Sequence, residues 1–332
     1  MRALRLPAVV VIGRNEGTRL ARCLEAIHGA AAVVYVDSGS TDGSASLARG
    51  LGAAVVVLDA SSPFTAARGR NAGFVRALEL EPGTEVVQFL DGDCELLPGW
   101  LEAGAAALRD ADGVAVVCGG VRERDRERTI YNRLCDLEWR APAGPARSCG
   151  GNAMVRVAAF RQAGGFTASL IAGEEPELCL RLRRLGWGIL RLERGMVLHD
   201  ADMTRFVQWW RRALRAGWAY AEGASLHGAD PERHWVRESR SILGWGLLLP
   251  AGALLLAWPT RGLSLLLLAG WLALTWRIYR RAVRSGDAPR DARLLAGFTV
   301  LAKLPQAVGQ LQFHASRVFG RGRRLVDWRA TP

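Results

Sequence analysis

Two carboxylates, Asp91 and Asp93, stand one residue apart where an apolar run, Glu85-Val-Val-Gln-Phe-Leu90, gives way to Gly92. Side chains at i and i+2 of an extended chain point the same way. This spacing lets both carboxylates share one hard divalent cation, the kind that bridges phosphates. The triplet alone does not decide the matter, because Asp-Gly is also an ordinary turn dipeptide. Comparable segments follow other apolar runs. Arg14-Asn15-Glu16 ends the first. Asp37-Ser-Gly-Ser-Thr-Asp-Gly-Ser44 ends the second; Ser and Asp there can cap a helix, but Asp37 precedes any cap and could accept hydrogen bonds from a base or ribose. Arg68-Gly-Arg-Asn-Ala-Gly73 brings guanidinium forks, which suit phosphate oxygens, to the opening of a helix. A solvated helix face is the plainer reading of that segment. Further on, Glu174-Glu175-Pro176-Glu177 crowds carboxylates together, so that like charges can push one toward a pKa useful for proton transfer. It is equally an acidic first turn favoured by the helix dipole.

The elements that must carry these residues are legible from periodicity. Apolar runs over 8–12, 32–36, 54–58, 85–90 and 114–118 read as buried strands. Helical patterns over 20–30, 44–51, 66–80 and 98–110 alternate with them. This order predicts an α/β sandwich with a mostly parallel sheet, whose ligands gather at the carboxyl ends of the strands. From Ile242 the character changes. Residues 242–258 and 262–276 hold no charge, while a membrane-spanning helix needs about 20 residues. With Pro259-Thr-Arg261 between them, they read as a membrane hairpin or as a buried helical pair. Trp245, Trp258, Trp271 and Trp276 suit an interfacial belt. Arg233, Arg237 and Arg240 before the pair, and Arg277, Arg280, Arg281 and Arg284 after it, place both ends on the cytoplasmic side. A third apolar stretch, 294–313, is interrupted by Lys303 and Pro305 and fits either an interfacial helix or a kinked span. The division expected is 1–230 for the α/β domain and 231–332 for the membrane-associated helices, with a basic tail, 317–329, suited to an anionic leaflet.

The chain has 332 residues, 50% of them hydrophobic, and a net charge of +12 carried almost wholly by arginine. Such a surplus favours nucleic acid, an anionic membrane or phosphorylated substrates. No segment reads as a nucleic-acid motif, and the basic residues concentrate beside apolar runs, so the membrane is the expected partner. The six cysteines are scattered without Cys-x-x-Cys spacing, as expected of reduced thiols. The N-terminus lacks an apolar signal segment and leads directly into a strand, which predicts a catalytic part facing the cytoplasm.

Taken in order, Val-Ile-Gly-Arg-Asn-Glu16, Val-Asp37-Ser-Gly-Ser-Thr-Asp-Gly-Ser44, Ala-Arg-Gly-Arg70-Asn-Ala-Gly73 and Phe-Leu-Asp91-Gly-Asp93 resemble the motifs of family-2 glycosyltransferases with the GT-A fold. Gly164-Gly-Phe166, Gly173-Glu-Glu-Pro-Glu-Leu178 and Leu185-Gly-Trp187 agree with it, and the resemblance covers residues 7–222. It implies a nucleotide-sugar donor, UDP- or GDP-linked, held by Asn15, Glu16, Asp37, Arg70, Asn71 and Asp91. Asp93 would bind Mg2+ or Mn2+ on the diphosphate, with His199 as a further ligand. Glu175 matches the aspartate that acts as general base in the family; Glu replaces Asp here, and Glu174 remains a competitor. Gly150, Gly151 and Asn152 resemble the stretch lining the sugar and acceptor site. Gln208-Trp-Trp-Arg211-Arg212 partly resembles the Gln-x-x-Arg-Trp signature of processive relatives, with Arg212 where Trp is expected, so processivity is not implied.

The expected activity is metal-dependent, inverting transfer of a sugar to a lipid-linked or cell-envelope glycan at the cytoplasmic membrane. The alternatives are transfer to a polyprenyl phosphate, which needs no strong base, and a non-catalytic membrane scaffold of the same fold. Nucleotidyl transfer is less consistent, because no Walker-type loop is present.

Overall fold

The computed structural model describes residues 6–229 and 231–320; most of the basic tail, from 321 onward, lies outside them. The described residues fall into two compact units: residues up to 125 with 139–201, and 126–138 with 202 onward.

The first unit is an α/β sandwich. Its elements are Ala8–Gly13 (β1), Thr18–Glu25 (α1), Ala32–Asp37 (β2), Ser44–Gly50 (α2), Ala54–Val57 (β3), Ala66–Leu80 (α3), Val86–Asp91 (β4), Cys94–Leu96 (β5), Trp100–Asp110 (α4) and Val114–Glu123 (β6). After Ile130–Glu138 (α5), which belongs to the second unit, follow Gly144–Pro145 (β7), Ala153–Arg156 (β8), Val157–Gln162 (α6), Glu174–Arg184 (α7) and Gly188–His199 (β9). The strands make one sheet in the order β3-β2-β1-β4-β8-β6-β9-β5, with β7 against β9. The first four are mutually parallel. β8 runs antiparallel to both β4 and β6, and β6 is again parallel to β9. Ala8 to Val11 are fully buried, as an unbroken apolar strand covered on both faces must be.

Register does the positioning. β1 pairs with β2 so that Gly13 faces Asp37, and with β4 so that Ile12 faces Asp91. The carboxyl ends of three strands therefore finish level. α3 lies close on this sheet because Gly69 and Gly73 face it: a Cβ on Gly73 would fall 2.2 Å from Val10 Cγ1. Thr65 caps the helix by accepting the Arg68 N–H at 3.1 Å. Behind it, Phe74, Phe89, Phe160 and Phe166 form an aromatic cluster with centroids 4.4 to 5.4 Å apart. Gln88, buried in β4, is satisfied by the Trp100 indole N–H at 2.8 Å and by donation to the Phe89 carbonyl.

The second unit is helical: α5, Phe206–His227 (α8), Val236–Leu243 (α9), Leu249–Leu255 (α10), Ala269–Arg284 (α11), Pro289–Leu301 (α12) and Lys303–Val318 (α13). α8 and α13 cross at glycines. A Cβ on Gly217 would lie 2.0 Å from the Gln306 carbonyl oxygen, and one on Gly309 would lie 2.1 Å from that of Leu214, so backbone meets backbone. Arg126 joins Asp136 and Asp291, and the Phe298 ring meets Trp209 and Tyr131 edge-on.

The apolar runs 242–258 and 262–276 are helical in pieces. A π-helical turn, Gly244–Leu248, joins α9 to α10, and a 3-10 segment, Leu263–Leu268, precedes α11. Among the described residues, one helix is long and apolar enough to cross a membrane: the continuous Pro289–Val318, which contains the third apolar stretch. Only 33% of its most apolar window is buried, unlike a core helix.

Candidate active site

Asp37 closes β2 and turns its carboxylate back onto its own loop. Oδ2 accepts the N–H groups of Gly39 at 3.1 Å and Ser40 at 2.9 Å, and Oδ1 accepts the Tyr35 hydroxyl at 3.2 Å. Tyr35 and Asp37 are two apart in a strand and share a face. Asn15, at φ 55°, locks the neighbouring loop: its Oδ1 accepts the Thr41 N–H at 2.7 Å, and its own N–H reaches Ser40 Oγ at 3.0 Å. Glu16 is buried and paired with Arg19 at 3.1 Å. Gly92 packs directly on this edge, its N–H donating to the Ile12 carbonyl at 2.8 Å.

Arg70 is the hinge of the acidic side. Nη2 donates to Asp91 Oδ1 and Nη1 to Glu174 Oε1, each at 2.7 Å. Its side chain is 3% exposed, that of Glu174 is 11% and that of Asp91 is 34%, so the fork reaches from the interior to an open carboxylate. Burial works against the guanidinium charge, but the Asp91 and Glu174 carboxylates more than offset it and hold the ion firmly protonated. Gly151 lies against this pair: a Cβ there would be 2.8 Å from both Arg70 Nη2 and Asp91 Oδ2. Asn152 Oδ1 accepts the Asp91 N–H at 2.8 Å, and Gly150 turns the chain at φ 82°. Arg68, by contrast, binds the carbonyls of Asp59, Ser62 and Pro63 and so secures a loop.

Glu175 faces another way. Its Oε1 accepts the Cys149 N–H and the Cys179 thiol, the latter at 3.1 Å, and both contacts use that one oxygen. Hydrogen bonding with Cys179 and burial push the Cys149 thiol well up, so it stays protonated.

Asp93 is buried, with Oδ2 3.3 Å from His199 Nε2. The pairing of β5 with β9 sets Cys94 opposite His199 and thus brings the imidazole to Asp93. His199 Nδ1 is 3.0 Å from Glu123 Oε2, while Glu123 Oε1 accepts the Ala201 N–H at 3.0 Å. Burial alone would lower the imidazolium's pKa; the Asp93 charge and the hydrogen bonds to Asp93 and Glu123 raise it to about 9. Of this pair the Asp93 carboxylate is the oxygen donor that suits Mg2+ or Mn2+, and the imidazole stands beside it as a nitrogen donor.

The structure thus brings Asp91, Arg70, Glu174, Gly151 and Asn152 together, and Asp93 with His199. Asn71 is used differently from the expectation: its amide grips the Phe166 backbone through both N–H and C=O, at 2.8 and 2.9 Å. Gln208 caps α8, accepting the N–H groups of Thr204 and Arg205; it and Arg211 lie in the second unit. Glu123, Tyr35 and the Cys149–Cys179 pair were not singled out as site residues by the sequence. Tyr35 alone had a signal, its i−2 spacing from Asp37.

Residues 8–163 match the family model for Glycosyl transferase family 2. Two curated relatives, the pre-mycofactocin glycosyltransferases of Mycobacterium tuberculosis strains CDC 1551 / Oshkosh and ATCC 25618 / H37Rv, are each 25% identical over an alignment of 250 residues that covers 72% of this chain. That match covers 52% of each relative, so the chain spans about half their length. Among solved structures, the mannosyltransferase PcManGT from Pyrobaculum calidifontis, in complex with GDP-Man and Mn2+, aligns over 96% of this chain and 89% of its own, with a TM-score of 0.54 and 18% identity. The shared fold and the matched segment agree with the strand order and the motif positions: the α/β unit has a GT-A-like fold, and residues 8–163 are similar to family-2 glycosyltransferases.

Proposed function

We propose that the chain is a metal-dependent, inverting glycosyltransferase that takes its sugar from a UDP- or GDP-linked donor and passes it to a hydroxyl of a lipid-linked or cell-envelope glycan. The observation that carries this reading is the Arg70 fork, which ties Asp91 at a strand's carboxyl end to Glu174 at the start of α7, beside the buried Asp93. Nucleotide ligands of open α/β sheets bind at that edge.

In this reading Asp37, with Asn15 and Glu16 behind it, shapes the pocket for base and ribose. Asp91 orients the ribose or sugar. Asp93 and His199 would hold Mg2+ or Mn2+, which supplies charge neutralisation of the departing diphosphate. Glu123 fixes the His199 ring, as carboxylates do behind ligating imidazoles. Glu175 is the base: it removes the acceptor proton as that oxygen attacks the anomeric carbon, and the nucleoside diphosphate leaves from the opposite face. Glu174 is committed to Arg70 through its ion pair, whereas Glu175 accepts from the Cys149 N–H and the Cys179 thiol through Oε1.

The proposed location is the inner face of the cytoplasmic membrane. Support comes from the second unit, where Leu248, Leu255, Trp258, Leu266 and Leu272 are 66 to 91% exposed, a patch of the kind that docks on lipid. Arginines flank the same segment on both sides.

The test is a donor screen with purified protein and membrane lipid extract, scoring release of nucleoside diphosphate and labelled product. Asp93→Ala serves as the control. Transfer from one donor class, lost in Asp93→Ala, supports the reading. Absence of binding to every nucleoside diphosphate with Mn2+ by calorimetry sinks it in favour of a scaffold. Near-normal turnover in Glu175→Gln moves the acceptor to a polyprenyl phosphate, which is already ionised.

A further inference from the structure

Two of the cysteines that look scattered along the sequence meet in the fold. Cys149 Sγ and Cys179 Sγ are 3.6 Å apart. Glu175, one helical turn before Cys179 on the same face of α7, places Oε1 3.1 Å from that sulfur and also accepts the Cys149 N–H. All three side chains are buried, and one potential ligand atom from each lies within 4.8 Å of the others. Two thiolates bound to one tetrahedral ion at about 2.3 Å lie about 3.8 Å apart. The sulfurs are therefore already at the bite of a thiophilic ion. A disulfide at about 2.05 Å would need them to close by roughly 1.5 Å.

We propose that Cys149, Cys179 and Glu175 form a site for one thiophilic divalent cation of the zinc class, and that filling it silences the enzyme by ligating the carboxylate of the base. The binding half stands on geometry alone; the silencing half rests on the reading of Glu175 as base. Charge balance favours entry. The ion brings two positive charges and displaces the two thiol protons, so the buried cluster keeps the net charge it had with one carboxylate and two neutral thiols. No oxidant is involved, and the sulfurs stay at the thiol oxidation level. Three protein ligands leave the fourth position to water or an incoming group. This site differs from the other cluster, Asp93, Cys94 and His199, in offering two sulfurs rather than one and no imidazole.

The experiment uses the full chain, reduced and stripped with chelator. Cd2+ is added while the ultraviolet thiolate-to-metal charge-transfer band is followed. One equivalent per chain is expected to saturate the band. Cys149→Ser and Cys179→Ser should each weaken binding at least tenfold, whereas Cys94→Ser, beside Asp93, and Cys135→Ser should leave it unchanged. Because a serine variant can fail to fold, wild-type protein with one equivalent of Zn2+ is examined by X-ray absorption at the zinc edge, where two sulfur neighbours at about 2.3 Å are expected. A shell without sulfur, or a band that survives both variants and vanishes in Cys94→Ser, overturns the site. If the band behaves as expected and Zn2+-loaded protein still transfers sugar at the full rate, the site stands and the silencing half falls, together with Glu175 as the base. If Glu175→Gln is inactive and no band forms, the base stands and the site is overturned.

Discussion

At the scale of single residues, the two adjacent glutamates can be separated by experiment. Glu175→Gln should lower turnover by about 10²- to 10⁴-fold with little change in donor affinity, the usual effect of removing a general base. Glu174→Gln should weaken donor binding and lower stability, since it unties Arg70. Steady-state kinetics beside calorimetry of the nucleoside diphosphate distinguishes the two. Arg70→Met should destabilise the fold by about 3 kcal/mol in urea unfolding, at the low end for a buried ion because Asp91 remains partly hydrated. Glu123→Gln should weaken Mn2+ binding about 10- to 100-fold by calorimetry without abolishing folding; unchanged affinity would deny it a role in holding His199. The placements legible beforehand were those set by apolar runs: Asp37 and Asp91 at strand ends and Asp93 just past one. Glu123 was not legible, because its partner is 76 positions away and they meet only through the pairing of β6 with β9. Asn71 and Gln208 were read as site residues through the resemblance to the family's motifs; here their amides bind backbone.

At the scale of elements, apolar runs announced β1, β2, β3 and β4, since a strand buried on both faces has a signature of its own. β5 did not announce itself. Three residues, Cys94–Leu96, become a strand only because β9 arrives alongside in antiparallel register. Parallel pairing on the other side of β9 carries β6 to Glu123, past the apolar run that ends at Cys118. Close contacts at glycine were also hidden, because a sequence shows the residue but not what faces it. Gly151→Ala tests one of them. The new methyl would strike Arg70, which two carboxylates hold in place, so donor affinity should fall along with about 1–3 kcal/mol of stability. A normal Kd for nucleoside diphosphate in that variant would show that Arg70 has room to move. Gly309→Ala should destabilise the helical unit by a similar amount, visible as earlier proteolysis within 202–320 while the sheet unit stays intact.

At the scale of the molecule, the chain leaves the α/β unit at residue 126, contributes one helix to the other unit, and returns at 139. A single cut near residue 230, natural on composition, does not follow that path. The apolar runs were legible as a departure from globular patterning, but not their breakage into π and 3-10 turns, which depends on packing within the helical unit. Membrane association predicts co-flotation with anionic vesicles. Leu255→Asp with Leu266→Asp, both at exposed positions, should reduce flotation while leaving the circular dichroism spectrum unchanged. Protein that remains at the bottom of the gradient in wild-type form would sink the membrane reading.

The crossing of α8 and α13 adds a consequence for the medium in which this unit can exist. Most helix pairs in water are held by expelling it from apolar side chains, a driving force that vanishes in hydrocarbon. Gly217 and Gly309 instead bring main chain against main chain, and such van der Waals contact does not depend on water being the surroundings. That seam is solvent-indifferent: it would hold with the same geometry beside a lipid tail as in an aqueous cell.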